Sequence, residues 1–344
     1  MTDLKSKLES YLSKRQGGKA SISSMIPLSG GACQENYLID LSLEGGTESG
    51  EFRLVFRTDK GASLFASLSR ANEFKTEKLA YENGVKTPRP YWLEEDSGIL
   101  GSPFYFMERI GGKATGRFVV KDSSLSKARK NLASELALSL SRIHSITPDL
   151  YRDESLKGSL YRHNPTSSDS VSRDAVLEIR RQISAGVDPQ VGMELIANWL
   201  EENIHPVDKE VLVHGDFRTG NFMVSPEGLE GILDWEFAHW GDRHEDIAWL
   251  CMRDWRFGKL NKEAGGIAER QEFYDLYSRA SGFEVDPFRV RYWEIMGNLR
   301  WALGSLQQAE RHLSGKDKGI ELAAIGRRTK EMVWEAMRLI ENAG

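Results

Sequence analysis

The stretch from Leu212 to Trp240 constrains this chain more than any other. It reads LVHGDFRTGNFMVSPEGLEGILDWEFAHW. An apolar strand ends in a His-Gly-Asp tripeptide whose aspartate is Asp216, and Asn221 follows five positions later. A second apolar strand then leads to Asp234. The pattern therefore predicts three oxygen-bearing side chains on short loops between buried strands.

These three side chains match the requirements of phosphoryl transfer. Asp216 is predicted to accept a hydrogen bond from an attacking hydroxyl, while Asn221 and Asp234 supply hard oxygen ligands for Mg²⁺ beside nucleotide phosphates. Each residue alone has an ordinary alternative, because His-Gly-Asp can be a strand-to-turn corner and Asn221 a turn residue. The combined spacing favours the functional interpretation.

The carboxylates that follow are open to two interpretations each. Glu236 is either a second carboxylate at the metal site or a solvent-facing residue. Asp242, Glu245 and Asp246 open a predicted helix, where acidic groups favourably meet the helix dipole. Capping is the favoured role for these three, and bracing of the catalytic loop is the alternative for Asp246.

Composition limits the class of protein. The chain has 344 residues, a length that favours two lobes or domains. A net charge of −5 gives no support to nucleic-acid or anionic-membrane binding. Two distant cysteines, Cys33 and Cys251, exclude a disulfide framework in practice. No apolar run is long enough to span a membrane, so a soluble cytoplasmic protein is expected, with its oligomeric state left open.

The first third of the chain has the pattern of an antiparallel sheet. One helix is predicted over Arg70–Asn83, between the third and fourth strands, and another over residues 3–15. Five segments are rich in apolar and aromatic residues and are bounded by turn signals. These predicted strands are Ser21–Leu28, Gln34–Leu43, Phe52–Arg57, Tyr91–Leu93 and Pro103–Ile110.

Beyond a predicted hinge at Gly111–Gly112 the pattern becomes mainly helical. The expected fold class is α+β and bilobal, with a nucleotide-binding lobe over 1–110 and a helical lobe over 111–344 that holds the catalytic loop and substrate site. A ligand cleft is expected between them. Predicted helices are Ser124–His144, Ala175–Gly186, Gln190–Asn203, Asp246–Trp255, Gln271–Ser281, Pro287–Leu313 and Gly319–Ala343, and short strands lie at Leu212–Val213, Asn221–Val224 and Leu229–Leu233.

Four residues of the first lobe are candidates for phosphate binding. Gly30 and Gly31 could let backbone N–H groups approach the β- and γ-phosphates, although a glycine hairpin turn is equally common. Arg57 ends the third predicted strand and Glu73 lies on the next helix. A cation held by a helical carboxylate would fix the α- and β-phosphates, whereas the alternative is a weak surface ion pair.

Met107 and Glu108 are candidates for binding the nucleotide base. They end the last predicted strand of the first lobe, directly before the hinge. Their main-chain groups could read an adenine edge. An ordinary edge strand is the alternative.

Together these motifs resemble the aminoglycoside phosphotransferase and choline-kinase-like family, whose fold is similar to that of protein kinases. Within it the chain looks most like the branch of kinase domains fused to acyl-CoA dehydrogenases, because of HGDFRTGN, DWE and the WRFG at 255–258. The matching segments are LSGGA at 28–32, LVFR at 54–57, Glu73, GVKTPRP at 84–90, FMERIGG at 106–112, HGDFRTGN at 214–221 and ILDWEFAHWGDRHEDIAWL at 232–250.

The resemblance implies a magnesium-dependent small-molecule kinase that uses ATP or GTP. It places Asp216 as the catalytic aspartate, Asn221 and Asp234 as magnesium ligands, and the Gly30–Gly31 turn over the phosphates. Arg57 stands where many members have lysine, which keeps the charge but changes its geometry.

The acceptor is expected to be a small molecule with a hydroxyl group. Antibiotic-modifying members attract polycations with many acidic residues, whereas Trp255, Arg256, Arg300 and Trp301 indicate an apolar and partly cationic pocket here. This favours a hydroxylated metabolite, including a hydroxyacyl compound. A protein kinase and a catalytically silent nucleotide-binding scaffold are the alternative functions.

Overall fold

The computed structural model describes residues 2–28, 34–59, 67–151, 153–186, 190–315 and 320–342. Its N-terminal part contains a five-stranded antiparallel sheet in the order β1-β2-β3-β5-β4, as predicted. The elements are α1 (Thr2–Gln16), β1 (Lys19–Pro27), β2 (Gln34–Glu44), β3 (Gly50–Asp59), α2 (Arg70–Glu82), β4 (Pro90–Glu94), α3 (Ser97–Leu100) and β5 (Phe104–Glu108).

Side-chain alternation on β3 determines which of its residues face α2. Leu54 and Phe56 point to one face of the sheet, where they join the apolar cluster that contains Leu8 of α1. Val55 points to the opposite face, towards Phe74 of α2. Because successive strand residues alternate between faces, this pattern directs Arg57 to the α2 side as well.

The rest of the chain is mainly helical, with two small two-stranded sheets. None of the helices over the described ranges is long and apolar enough to cross a membrane. The elements are α4 (Gly116–Lys121), α5 (Ser126–Ile143), α6 (Glu154–Ser159), α7 (Ser170–Ala185), α8 (Val191–Glu202), β6 (Val211–Val213), β7 (Phe222–Ser225), β8 (Gly228–Ile232), β9 (His239–Gly241), α9 (His244–Cys251), α10 (Arg270–Ser281), α11 (Pro287–Leu313), α12 (Ile320–Gly326) and α13 (Thr329–Glu341), with 3-10 turns at Ser123–Leu125, Pro148–Leu150 and Arg253–Arg256.

Three predicted helices differ from the structure, since α7 begins at Ser170 and not at the predicted Ala175. The predicted helix 319–343 is divided into α12 and α13, and a Cβ added at Gly326 would press on Ala309 of α11. The break between α12 and α13 thus lies where this glycine packs closely against α11. The predicted helix 246–255 starts at His244 and stops at Cys251, because Met252 adopts an extended conformation with ψ 144°. Strand β9 was not predicted, since its partner β6 lies far away in sequence.

Hydrogen bonds join the two parts of the fold next to β8. The hydroxyl of Thr87 donates to the carbonyl oxygen of Ile232 at 2.9 Å, and the indole of Trp235 donates to Thr87 Oγ1 at 3.0 Å. The segment before β4 is thereby fixed against the strand that leads to Asp234. A buried carboxyl, Glu77 of α2, lies on the same side, with the Thr87 hydroxyl 3.4 Å from its Oε1.

Because of the buried carboxyl of Glu77, we expect the stability of the folded protein to depend on pH. Burial, and then the nearby charge of Glu73, raise its pKa to about 8 from an ordinary 4.5. Between these pH values the folded protein keeps the proton and the unfolded chain loses it, so stability falls as pH rises. The free energy of unfolding of Glu77→Gln, relative to that of wild type, should therefore rise by about 3 kcal/mol between pH 5.5 and pH 8. Chemical denaturation of both proteins at the two pH values measures this, and an unchanged difference would contradict it.

Candidate active site

The hairpin of β7 and β8 brings Asn221 and Asp234 to one end of the same ladder. Phe222 pairs with Ile232, and the N–H of Leu233 donates to the carbonyl oxygen of Asn221 at 2.9 Å. Asp234 follows directly and has a φ of 72°. Aspartate is one of the few residues other than glycine that adopt this left-handed conformation readily. At Asp234 the backbone therefore turns away from the direction of β8.

Asn221 is also joined to Asp216. Its Nδ2 donates to Asp216 Oδ2 at 2.6 Å and to the backbone carbonyl oxygen of Asp216 at 3.0 Å. Both residues are buried. Because the amide nitrogen is used in this way, the amide oxygen of Asn221 is left for another partner.

The second oxygen of Asp216 is held by two donors. Trp249 Nε1 donates to Oδ1 at 2.7 Å, and Arg218 Nε donates to the same oxygen at 2.9 Å. Burial raises the pKa of Asp216; Arg218 opposes that shift, and the negative charge of Asp234 adds to it. The carboxylate is thus fixed in position while it remains more basic than an ordinary aspartate.

Asp246 of α9 holds the backbone of the same loop. Its two oxygens accept the N–H groups of His214 and Gly215 at 2.8 and 2.9 Å, and His144 Nε2 lies 3.2 Å away. Gly215 has a φ of 81°, and a Cβ there would overlap the carbonyl oxygen of Phe237. The structure therefore shows bracing by Asp246 in place of the favoured capping role.

The other two acidic residues at the start of α9 have different contacts. Asp242 Oδ1 accepts the backbone N–H of His244 at 3.0 Å, which resembles the expected cap. Glu245 lies near His239 Nε2 at 3.4 Å and accepts a bond from Arg300 at 2.8 Å. Glu245 is therefore the buried member of an ion pair whose arginine is half-buried.

Arg57 connects the sheet to the loop after β8. Its Nη2 lies 2.6 Å from both Glu73 Oε1 and Asp234 Oδ1. The side chains of Arg57 and Glu73 are 7% and 1% exposed, so the alternative of a surface pair is wrong. Arg70, which was not predicted, also pairs with Glu73 and lies 2.6 Å from Asp59 Oδ1.

The structure gives less information about the remaining predicted site residues. Met107 and Glu108 end β5, which lies between β3 and β4, so it is not an edge strand. The N–H of Glu108 donates to the carbonyl oxygen of Arg89 at 2.8 Å. Gly30 and Gly31 fall outside the described residues. The carbonyl oxygen of Glu236 accepts the N–H of Leu68 at 2.7 Å, and its role stays a prediction.

The donor set suits a hard divalent cation. Within the described ranges no group of three or more His, Cys, Asp or Glu residues could hold a metal ion by itself. Mg²⁺, however, commonly takes one or two protein oxygens and completes its shell with phosphate and water. Burial disfavours ionisation of Asp234, but Arg57 outweighs burial and lowers its pKa, so this carboxylate is charged at neutral pH. Asn221 and Asp234 fit such a site.

The fold of this chain is that of a phosphotransferase family with a protein-kinase-like architecture. Residues 24–283 match the family described as "Phosphotransferase enzyme family". The chain belongs to that family.

The curated relatives are longer proteins. Mouse acyl-CoA dehydrogenase family member 10 is 30% identical over 58% of this chain and 18% of that protein. Rat acyl-CoA dehydrogenase family member 11 is 25% identical over 78% of this chain and 35% of the relative. The Arabidopsis thaliana protein named probable acyl-CoA dehydrogenase IBR3 is 25% identical over 88% and 38%. This chain thus spans less than half the length of these relatives, in agreement with the predicted branch.

Solved structures show the same fold at low identity. A candidate aminoglycoside phosphotransferase from Ralstonia eutropha JMP134 has a TM-score of 0.71 at 20% identity, over 98% of both chains. A choline/ethanolamine kinase family protein from Mesorhizobium loti has a TM-score of 0.58 at 16% identity, over 93% and 88%. The aminoglycoside phosphotransferase APH(4)-Ia, solved with ADP and hygromycin B, gives 0.60 at 15%, over 95% and 98%. The predicted bilobal α+β fold is confirmed.

Bracing by Asp246 yields a stability prediction. Asp246→Asn replaces one of two accepting oxygens by a donor that faces a backbone N–H group. We expect a loss of roughly 2–3 kcal/mol in the free energy of unfolding. Denaturant titration measures this, with the exposed Asp149→Asn as the control that should change little. Equal stability of the two variants would contradict the bracing role.

Proposed function

We propose that this protein is a magnesium-dependent kinase that transfers the γ-phosphoryl group of ATP or GTP to a hydroxyl of a small molecule. The observation that carries the proposal is the linked set of Asp216, Asn221, Asp234 and Arg57. A 2.6 Å hydrogen bond joins Asp216 to Asn221, and another of 2.6 Å joins Asp234 to Arg57. The hairpin of β7 and β8 connects the two pairs. Loose phosphoryl-transfer transition states need positioning and charge stabilisation, which this set supplies.

Each residue has a definite part in this proposal. Asn221 and Asp234 would hold Mg²⁺, which stabilises charge on the phosphates when bound. Arg57, fixed by Glu73, offers its remaining guanidinium donors to phosphate oxygens. Asp216 accepts a hydrogen bond from the acceptor hydroxyl, orients it for in-line attack and receives its proton. The raised pKa of Asp216 favours that last role.

The short connection after Asp234 supports a small-molecule acceptor over a protein. Residues 235–243 alone separate Asp234 from α9, which begins at His244, and they include the short strand β9. No long activation segment therefore fits between the proposed metal-binding aspartate and that helix. The silent-scaffold alternative is disfavoured because all three functional side chains are present, with Asp216 bonded to Asn221 and Asp234 bonded to Arg57.

Side chains beside Asp216 indicate the chemistry of the acceptor. The Arg218 guanidinium lies over the Trp255 ring at 4.4 Å, and the Trp255 and Trp301 ring centroids are 5.7 Å apart. Arg300, next to Trp301 in the sequence, pairs with Glu245 at 2.8 Å. Arg256 does not line this region, contrary to the prediction. Its Nη2 instead donates to a buried backbone carbonyl oxygen at 2.7 Å.

Arg162 completes the border of this region. Its Nη2 donates to the carbonyl oxygen of Phe237 at 2.6 Å, which lies against Gly215 of the catalytic loop. Arg162 is exposed, and the positive charge of Arg300 acts on it, opposed by the negative charge of Glu245. Adjacent guanidinium groups would be stabilised by an anion and would repel a polycation. The acceptor in this proposal is therefore an alcohol that also carries a carboxylate or phosphate.

The first test concerns turnover itself. Purified protein should convert ATP or GTP to the diphosphate in the presence of Mg²⁺, and EDTA should abolish the reaction. Asp216→Asn should lower kcat at least about 100-fold, because the orienting carboxylate is lost. Asp149→Asn serves as the control and should retain activity. Full turnover by Asp216→Asn would contradict the proposal.

The second test concerns the charge of the acceptor. Diphosphate formation should be stimulated by hydroxycarboxylates or phosphorylated alcohols more than by neutral diols, and not by kanamycin or hygromycin B. Arg300→Gln should raise the KM for the stimulating anion about tenfold and leave the nucleotide KM unchanged. Arg180→Gln, an equally exposed ion-paired arginine on α7, is the matched control. Preferential stimulation by the polycations would contradict the anionic class.

A further inference from the structure

We propose that Trp249 is a positioning residue for Asp216 and that Gly297 of α11 sets the place of its indole ring. The inference rests on the proposed function for its kinetic consequences. Its structural part stands on contacts alone. Trp249 was not singled out in the sequence, because a tryptophan in an apolar helix is ordinarily a core residue.

The contact is a direct hydrogen bond in which Trp249 can only be the donor. Trp249 Nε1 lies 2.7 Å from Asp216 Oδ1, and the indole N–H is a donor that cannot accept. Asn221 holds Oδ2 at 2.6 Å from the opposite side. The carboxylate plane is thereby fixed at both oxygens.

Trp249 and Asp246 act from the same helix. They are three positions apart on α9 and therefore lie on one face of it. Asp246 accepts the backbone N–H groups of His214 and Gly215, while Trp249 donates to the side chain of Asp216. One rigid element thus positions both the backbone and the reactive carboxylate of the loop.

The indole is confined on two sides. A Cβ added at Gly297 would lie 3.2 Å from Trp249 Cε3 and 3.0 Å from Met252 Sδ, so the ring packs directly on the α11 backbone. On another side the Trp255 ring centroid is 5.8 Å from that of Trp249. A methyl group at position 297 has to displace the indole or Met252. The absence of a side chain at Gly297 therefore sets the distance between α11 and the catalytic loop.

The kinetic test compares three variants by Mg²⁺-dependent ATP hydrolysis. Trp249→Phe keeps a ring and removes the N–H. Its kcat should fall about tenfold, and the KM for ATP should stay within about twofold. Gly297→Ala keeps the indole and should show a smaller loss of kcat, again with the KM for ATP unchanged. Trp293→Phe removes a buried indole that donates to the carboxylate of Asp242, and its kcat should stay close to that of wild type.

A second measurement does not depend on turnover. The indole ¹⁵N–¹H resonance of Trp249, identified by its absence in Trp249→Phe, should shift in Asp216→Asn, because the hydrogen bond to the carboxylate is lost, and should keep its position in Asp149→Asn. An indole resonance that is the same in Asp216→Asn and in wild type, or a kcat of Trp249→Phe equal to that of wild type, overturns the positioning role. Wild-type protein without any hydrolysis would instead overturn the proposed function, and the resonance would still decide the contact.

Discussion

The buried cation of Arg57 is the interaction on which the rest of the site depends. A guanidinium that is 7% exposed has lost most of its hydration, which costs several kcal/mol unless carboxylates replace the water. Glu73 of α2 and Asp234 after β8 both do so through the same nitrogen at 2.6 Å. Because one atom serves both partners, the sheet, its helix and the helical part of the fold are held in one relative position.

Much of this arrangement could be read from local patterns. Period-two alternation and turn residues predicted the five strands of the sheet, and Arg57 and Glu73 were paired because the helix follows that strand directly. The spacing of Asp216, Asn221 and Asp234 depends on two short strands with a tight connection. Such a hairpin leaves little freedom in where its flanking residues lie.

Contacts between distant segments were not predictable in the same way. Asp246 and Trp249 contact a loop some thirty residues earlier in the chain, whereas local reasoning connects acidic residues at a helix start with the helix dipole. Strand β9 is three residues long and exists because β6 offers a partner. Arg70 was missed for a different reason. It lies only three positions from Glu73, but its value depends on the burial of that carboxylate. The other roles are defined by partners that lie far away in the sequence.

The two aspartates of the site are separated by their surroundings into different chemical states. Asp216 is buried and Asp234 is half-buried, and burial by itself raises the pKa of either carboxyl group. Arg57 reverses this effect at Asp234, whose pKa is lowered, while at Asp216 the opposing Arg218 is insufficient and the pKa is raised. A permanently charged carboxylate suits a cation ligand, and a more basic one suits a group that accepts a proton. Since Arg57 reaches only one of the two, the placement of a single guanidinium determines which aspartate can serve which purpose.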